Sequence, residues 1–162
     1  MLLTKKLLNE INGSLSLNAK QEGDFSIELG PPSIDTRKIN AGDTFFGIEG
    51  ETRNGCDFFE QAVENGAKNV VLTPEYREKF EKSEIVRKNK ATAIFVANTR
   101  TALRQMGFSN RLAHCIPFVA VTGSNGKTTT KELIAAVLGQ KYRVFKTAGN
   151  FTAACASAVP AS

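Results

Sequence analysis

The sequence predicts an α/β protein in two parts. A small N-terminal α/β domain covers residues 1–112. A joint at 113–117 follows, then the first βαβ unit of a second domain over 118–151 and an atypical tail at 152–162. Three observations predict this. Short strand-like runs alternate with helix-like runs up to Leu112. From Phe118 a continuous apolar run enters a glycine-rich turn, a helix and a further strand. Beyond Ala148 charge vanishes: Ala148–Ser162 has no charged residue and six alanines, and it shows no stable periodic pattern.

Taking the elements in order, Leu3, Leu7 and Ile11 recur every four residues, as one buried helix stripe does, and Asn12-Gly13 stops it. Ser14–Leu17 and Phe25–Leu29 alternate apolar and polar residues and read as half-buried strands, the second ended by Gly30-Pro31-Pro32. Asp35-Thr36-Arg37 is a polar loop, and Thr44–Ile48 a strand opened by Ala41-Gly42-Asp43. Asp57 and Glu60 have capping-box spacing ahead of a helix through Val63 that closes at Asn65-Gly66. Asn69–Leu72 is an apolar strand. Pro74 marks the start of a charged helix, with Tyr76–Lys90 read as a solvated face. Ala93–Ala97 is a strand and Thr99–Leu112 a helix with Leu103, Met106 and Leu112 on its apolar side. Pro117 marks the joint. Phe118–Val121 reads as a strand buried on both faces of a parallel sheet, Thr129–Leu138 as a helix, and Arg143–Lys146 as the next strand.

Composition narrows the function. Apolar residues make up 41% and charged residues 23%, which suits a soluble globular protein. The net charge of +5 is mild, and no dense basic patch interleaved with aromatics points to nucleic acid. Cys56, Cys115 and Cys155 are widely spaced with no CxxC pair, so neither a disulfide framework nor a zinc site is expected, and a reduced cytosol fits. Met1–Glu10 lacks the pattern of a signal peptide, and no apolar run reaches the roughly 18 residues of a membrane helix. His114, the only histidine, reads as a linker residue.

Chemistry concentrates at Phe118–Thr130, Phe-Val-Ala-Val-Thr-Gly-Ser-Asn-Gly-Lys-Thr-Thr-Thr. An apolar strand delivers the chain to a turn in which Gly123 and Gly126 let the backbone curl and approach a ligand closely. Amides of Gly123, Ser124, Asn125 and Gly126 are placed to surround an anion, and the following helix presents its positive end. Lys127 reaches outer phosphates as a point charge. Thr128, with Thr129 beside it, offers a hydroxyl for Mg²⁺. The pattern is the shorter Gly-x-x-Gly-Lys-Thr, since Val121 stands where the full phosphate-loop pattern has glycine. ATP with Mg²⁺ is the cofactor this constellation predicts, with Lys127 and Thr128 in the catalytic roles.

Val-Thr-Gly-Ser-Asn-Gly-Lys-Thr-Thr-Thr-Lys-Glu (121–132) resembles the ATP loop of the Mur ligases. A second motif set agrees in order and spacing: Asp35-Thr36-Arg37-Lys38-Ile39, Gly42-Asp43-Thr44-Phe45-Phe46, Gly50-Glu51, Gly55-Cys56-Asp57-Phe58 and Gly66-Ala67 resemble that family's N-terminal domain. Cys56 stands where histidine is common, and Thr36 where serine is common. The resemblance covers about residues 1–151. It implies a small N-terminal α/β UDP-substrate-binding domain, followed by the first βαβ unit of a P-loop ATPase-type central domain. It also implies ATP-driven amide formation through an acyl phosphate. Thr36, Arg37 and Asn150 carry over as contacts to the UDP-sugar, although an ion pair of Arg37 with Asp35 or Asp43 is the alternative use of that residue. Asn54 and Asp57 are weaker candidates, Asp57 reading first as a helix cap.

Within the family, Lys131-Glu132 and Lys146-Thr147-Ala148-Gly149-Asn150 favour the member that joins D-alanyl-D-alanine to UDP-N-acetylmuramoyl-tripeptide over the member that adds the third amino acid. Thr128 argues against the folylpolyglutamate synthetases. After Phe151 the family's paired asparagines are missing, so the resemblance implies a truncated or frameshifted ligase, inactive alone, monomeric and in the bacterial cytoplasm. The competing readings are a stand-alone UDP-sugar-binding module without turnover and a general P-loop nucleotidase.

Overall fold

The structure is a computed structural model that describes residues 1–16, 25–113 and 117–147, and the backbone of 154–160. The chain divides into two compact units, Met1–Leu112 and Ala113–Ser162.

In the first unit the chain begins with β1 (Leu2–Thr4), α1 (Lys5–Glu10) and β2 (Ser14–Leu15). The expected stripe of Leu3, Leu7 and Ile11 is buried throughout, but Leu3 lies in a strand, Leu7 in the helix and Ile11 at its C-cap. Thr4 is the reason: its extended backbone ends the strand while its hydroxyl accepts from the Leu7 amide and caps α1. β3 (Ser26–Glu28) pairs antiparallel with β1. β4 (Pro32–Ser33), β5 (Thr44–Phe46), β6 (Asn69–Leu72) and β7 (Thr92–Phe95) form a parallel run in which each strand neighbours the next, and β2 adds an antiparallel edge beside β7.

The connections follow from that order. The strands step across the sheet in one direction, so right-handed crossovers fall on one face. Those crossovers are α2 (Phe59–Glu64) and the pair α3 (Arg77–Lys82) and α4 (Glu84–Asn89). Alternation divides the strand residues between two cores. Phe45, Val70, Leu72, Ala93 and Phe95 pack with Phe59, Phe80 and Val86 from these helices. Phe46, Val71 and Ile94 face the opposite way, against Leu7 and Leu8 of α1 and Ala102 and Met106 of α5 (Thr99–Leu112).

Three further expectations for this unit need correction. Asp57 does not cap α2. Asn54 accepts from the Cys56 amide at 3.0 Å and opens a 3₁₀ turn over Gly55–Phe58, which runs into α2; the Asp57 carboxylate instead receives the Tyr76 hydroxyl at 2.5 Å. Residues 76–90 are not one solvated face. Ser83 breaks the helix and caps α4, while Arg77 turns inward, donating to the Leu15 carbonyl and the Ser14 hydroxyl with its guanidinium 4.2 Å from the Phe95 ring centroid. Leu112 is exposed at the last position of α5.

The second unit contains β8 (Phe118–Val121), α6 (Lys127–Leu138), β9 (Tyr142–Lys146) and β10 (Ala154–Pro160). β10 lies between β8 and β9 and is antiparallel to both, with Ala154 opposite Val121 and Pro160 opposite Tyr142. Residues 154–160, whose sequence shows no periodic pattern, thus form a strand. Two ladders, rather than residue propensity, hold this alanine-rich stretch as a strand. β8 is likewise not buried on both faces: its residues alternate between exposed and half-buried, and its neighbour is antiparallel.

Candidate functional site

Two places in the molecule gather the predicted residues. The first is the turn between β8 and α6. Gly123 and Gly126 both have positive φ, +148° and +76°. Such backbone is strained for any residue with a Cβ. At Gly126 a Cβ would meet no atom within 4 Å, and at Gly123 only the Asn125 carbonyl at 3.7 Å, so both look onto open space. Gly126 is the N-cap of α6 and offers no side-chain acceptor. A helix leaves its first amides without intrahelical acceptors, and this one begins at Lys127, two residues earlier than the sequence suggests. The Thr130 amide is the first to reach back, to the Gly126 carbonyl at 2.9 Å.

Lys127 folds over this turn, its Nζ donating to the Gly123 carbonyl at 2.5 Å and to the Ser124 carbonyl at 3.4 Å. The ammonium thus lies on the loop, next to the front of the helix. Ser124, Asn125, Thr128 and Thr129 are exposed around it. One helical turn on, Lys131 is 2% exposed and donates to the Thr147 carbonyl at 2.7 Å. Glu132 bridges Lys131 at 3.3 Å and also pairs with Lys146, whose hydrogen bond holds its carboxyl below the usual carboxylate range. Residues 131–132 therefore meet 146–147, the described part of the 146–150 segment, in space. Asn150 and His114 lie outside the described residues.

The second place is a cleft of about 570 Å³ in the Met1–Leu112 unit, bounded by Asp35, Thr36, Arg37, Arg53, Phe58 and Gln61 among others. Asp35 opens a 3₁₀ turn over Thr36–Lys38 by accepting from the Arg37 amide at 3.1 Å, and its two oxygens take the Arg37 Nε and Nη2, each at 2.9 Å. Those bonds hold the Asp35 carboxyl down at about 2. The Thr36 hydroxyl donates to Gln61 Oε1 at 3.0 Å, and Asn65 donates to the Thr36 carbonyl at 2.9 Å. Cys56, in the histidine position of the resemblance, does not line the cleft. It is fully buried, with Sγ 3.1 Å from the Gly47 carbonyl, and burial pushes its thiol pKa up. Arg53 and Gln61 are cleft residues that sequence reasoning missed. Arg53 sits between the quoted Gly50-Glu51 and Gly55, where a cation in a glycine-flanked turn was the available signal; Gln61 carried none. Among the described residues no cluster of three metal-ligating side chains occurs, and no helix is long and apolar enough to cross a membrane.

Known proteins match both regions. The family described as Mur ligase middle domain matches residues 121–160. The UDP-N-acetylmuramoyl-tripeptide–D-alanyl-D-alanine ligase of Bacillus subtilis is 40% identical over 119 residues, which are 74% of this chain and 24% of that one. A UDP-N-acetylmuramoyl-L-alanyl-D-glutamate–2,6-diaminopimelate ligase of Clostridium acetobutylicum is 32% identical over 91% of this chain and 29% of its own. Among solved structures, the corresponding D-alanyl-D-alanyl ligase of Acinetobacter baumannii superposes with a TM-score of 0.64 at 25% identity, over 93% of this chain and 31% of that one. This chain belongs to the Mur ligase family. It spans about a quarter to three tenths of the length of these curated relatives. A further Mur ligase, MurF of Thermotoga maritima, was solved with ADP and matches at a TM-score of 0.55 and 27% identity, over 75% of this chain and 26% of that one.

Proposed function

We propose that this chain is the front portion of the Mur ligase that joins D-alanyl-D-alanine to UDP-N-acetylmuramoyl-tripeptide, with ATP driving amide formation. The observation that carries the reading is the turn at Gly123–Gly126. Two positive-φ glycines face open space at the head of a twelve-residue helix, with the Lys127 ammonium lying across them. That is a cradle for the phosphates of a nucleotide. The residues fit the group. Glycines leave room for close approach, the helix start favours negative charge, and Lys127 would exchange its carbonyl acceptors for phosphate oxygens. Thr128 would hold Mg²⁺ through its hydroxyl, and the ion would neutralise charge on the transferring phosphate. Lys127 and the loop amides would hold a triphosphate in place for the approach of the substrate carboxylate.

Relatives of two kinds, one adding D-alanyl-D-alanine and one adding diaminopimelate, match this chain. The higher identity to the ligase that adds D-alanyl-D-alanine, 40% against 32%, supports the first. The cleft at Thr36, Arg37 and Arg53 is read as the site for the UDP end of the nucleotide sugar. Separate titrations of the chain with Mg-ATP and with UDP test the whole reading. Lys127→Ala should lose the first and keep the second. Retention of Mg-ATP binding by Lys127→Ala would refute the loop assignment.

A further inference from the structure

We propose that Arg53, rather than Arg37, is the residue that grips the diphosphate of the nucleotide sugar, while Arg37 is a positioning residue that shapes the cleft. The inference rests on reading that cleft as the UDP site and says which of its two arginines meets the anion. Both line the same space. Arg37 is already engaged: its amide, Nε and Nη2 all donate to Asp35. For Arg37 to take a phosphate it would have to release the forked pair and leave the Asp35 carboxylate facing an incoming anion. Thr36 is engaged as well, its hydroxyl proton directed at Gln61. The pair of Asp35 and Arg37 contributes no net charge, so the positive charge of the cleft is that of Arg53. Among the described residues its guanidinium has no hydrogen-bond or ion-pair acceptor, so it exchanges only water for phosphate.

The backbone beneath Arg53 is fixed, which matters because an arginine on a loose loop would lose more entropy on binding. Glu49 and Asn54 form an antiparallel bridge, the Gly50 amide donates to the Arg53 carbonyl at 3.0 Å, and the Gly55 amide donates to the Ile48 carbonyl at 3.0 Å. Gly55 seals the base of the turn, since a Cβ there would stand 2.4 Å from the Ile48 carbonyl oxygen. Arg53 is thereby presented on a short closed hairpin at the rim of the cleft.

Titration of the full chain with uridine, UMP and UDP, at low and at physiological salt, tests this. The wild-type chain should bind UDP more tightly than uridine, with the difference shrinking as salt rises. Arg53→Ala should weaken UDP about tenfold or more and leave uridine unchanged, and Arg53→Lys should restore part of the loss. Arg37→Ala should lower thermal stability and alter uridine and UDP alike. A melting curve for each variant shows that it is folded. If UDP binds the wild type and Arg53→Ala keeps the wild-type ratio of UDP to uridine affinity, the assignment to Arg53 is wrong while the cleft reading stands. If the wild type binds none of the three, the cleft reading falls and this assignment with it.

Discussion

Replacing Gly126 with alanine separates a loop built for packing from one built for a ligand. Gly126 has φ of +76° and caps α6. An L-residue in this left-handed region costs about 1–2 kcal/mol. Alanine returns about 0.4–1 kcal/mol by restricting the unfolded chain. No steric term adds to this, because nothing lies within 4 Å of the new Cβ. The net loss of stability should therefore be about 1 kcal/mol. Binding should respond differently. With no protein atom for the methyl to strike, the only thing it obstructs is what approaches from outside. Losing one charge-assisted bond between a loop amide and a phosphate costs about 1.5–3 kcal/mol, or about 10- to 150-fold in affinity. Calorimetric titration with Mg-ATP, beside thermal melts of the same samples, reads both quantities. The reasoning is refuted if Gly126→Ala binds Mg-ATP within about twofold of wild type, or if its stability falls by several kcal/mol. Gly55→Ala is the contrast: it has no positive φ, its Cβ clashes with backbone, and it should destabilise the first unit without touching Mg-ATP affinity.

Other expectations follow from the packing and charge. Phe80 is fully buried, with ring centroids 5.7 Å from Phe59 and 6.0 Å from Phe95, so Phe80→Ala should cost about 3–5 kcal/mol. A shift in urea midpoint equivalent to less than about 1 kcal/mol would contradict that packing. Asp35 has its carboxyl depressed from 3.8 to about 2, first by the side-chain bonds of Arg37. A depressed acid contributes stability that is present above the unfolded value and is lost as pH falls through the folded one. Asp35→Asn should therefore be less stable than wild type near neutrality, with the gap closing as pH falls from about 4 to about 2. A gap that stays constant to the acid end would dissociate Asp35 from Arg37 in solution. Hydrogen exchange should show faster opening in the second unit than in the first. Among described side chains, the second unit buries only Ala135 and Lys131 and leaves Leu133, Val137 and Phe145 exposed, whereas the first buries two apolar clusters. Equal protection in the two would overturn this.

How much of this was legible in the sequence depends on whether the deciding partner is near or far along the chain. Asn69–Leu72 and Thr99–Leu112 match the expected boundaries, because an apolar run between turn residues and a long amphipathic run are local signals. The glycine turn was legible for the same reason: residue type alone sets where positive φ is tolerated, and both predicted glycines adopt it. What failed was competition between local signals or dependence on distant ones. Asp57 has the spacing of a cap, but the 3₁₀ turn opened by Asn54 runs through it and puts Phe58 at the N-cap of α2, and the Asp57 carboxylate takes a tyrosine nineteen residues away. The strand at 154–160 carries no local pattern because its order comes from β8 and β9. The cleft shows the limit most clearly. Arg37 was singled out for its motif, and the same motif supplies Asp35, which takes three hydrogen bonds from Arg37 and balances its charge. Arg53 carried no motif, and what sets it apart, the lack of an anion beside it among the described residues, is visible only in the fold. A motif reports which residues belong together; it takes the hydrogen bonds to report which of them still has a charge to offer a ligand.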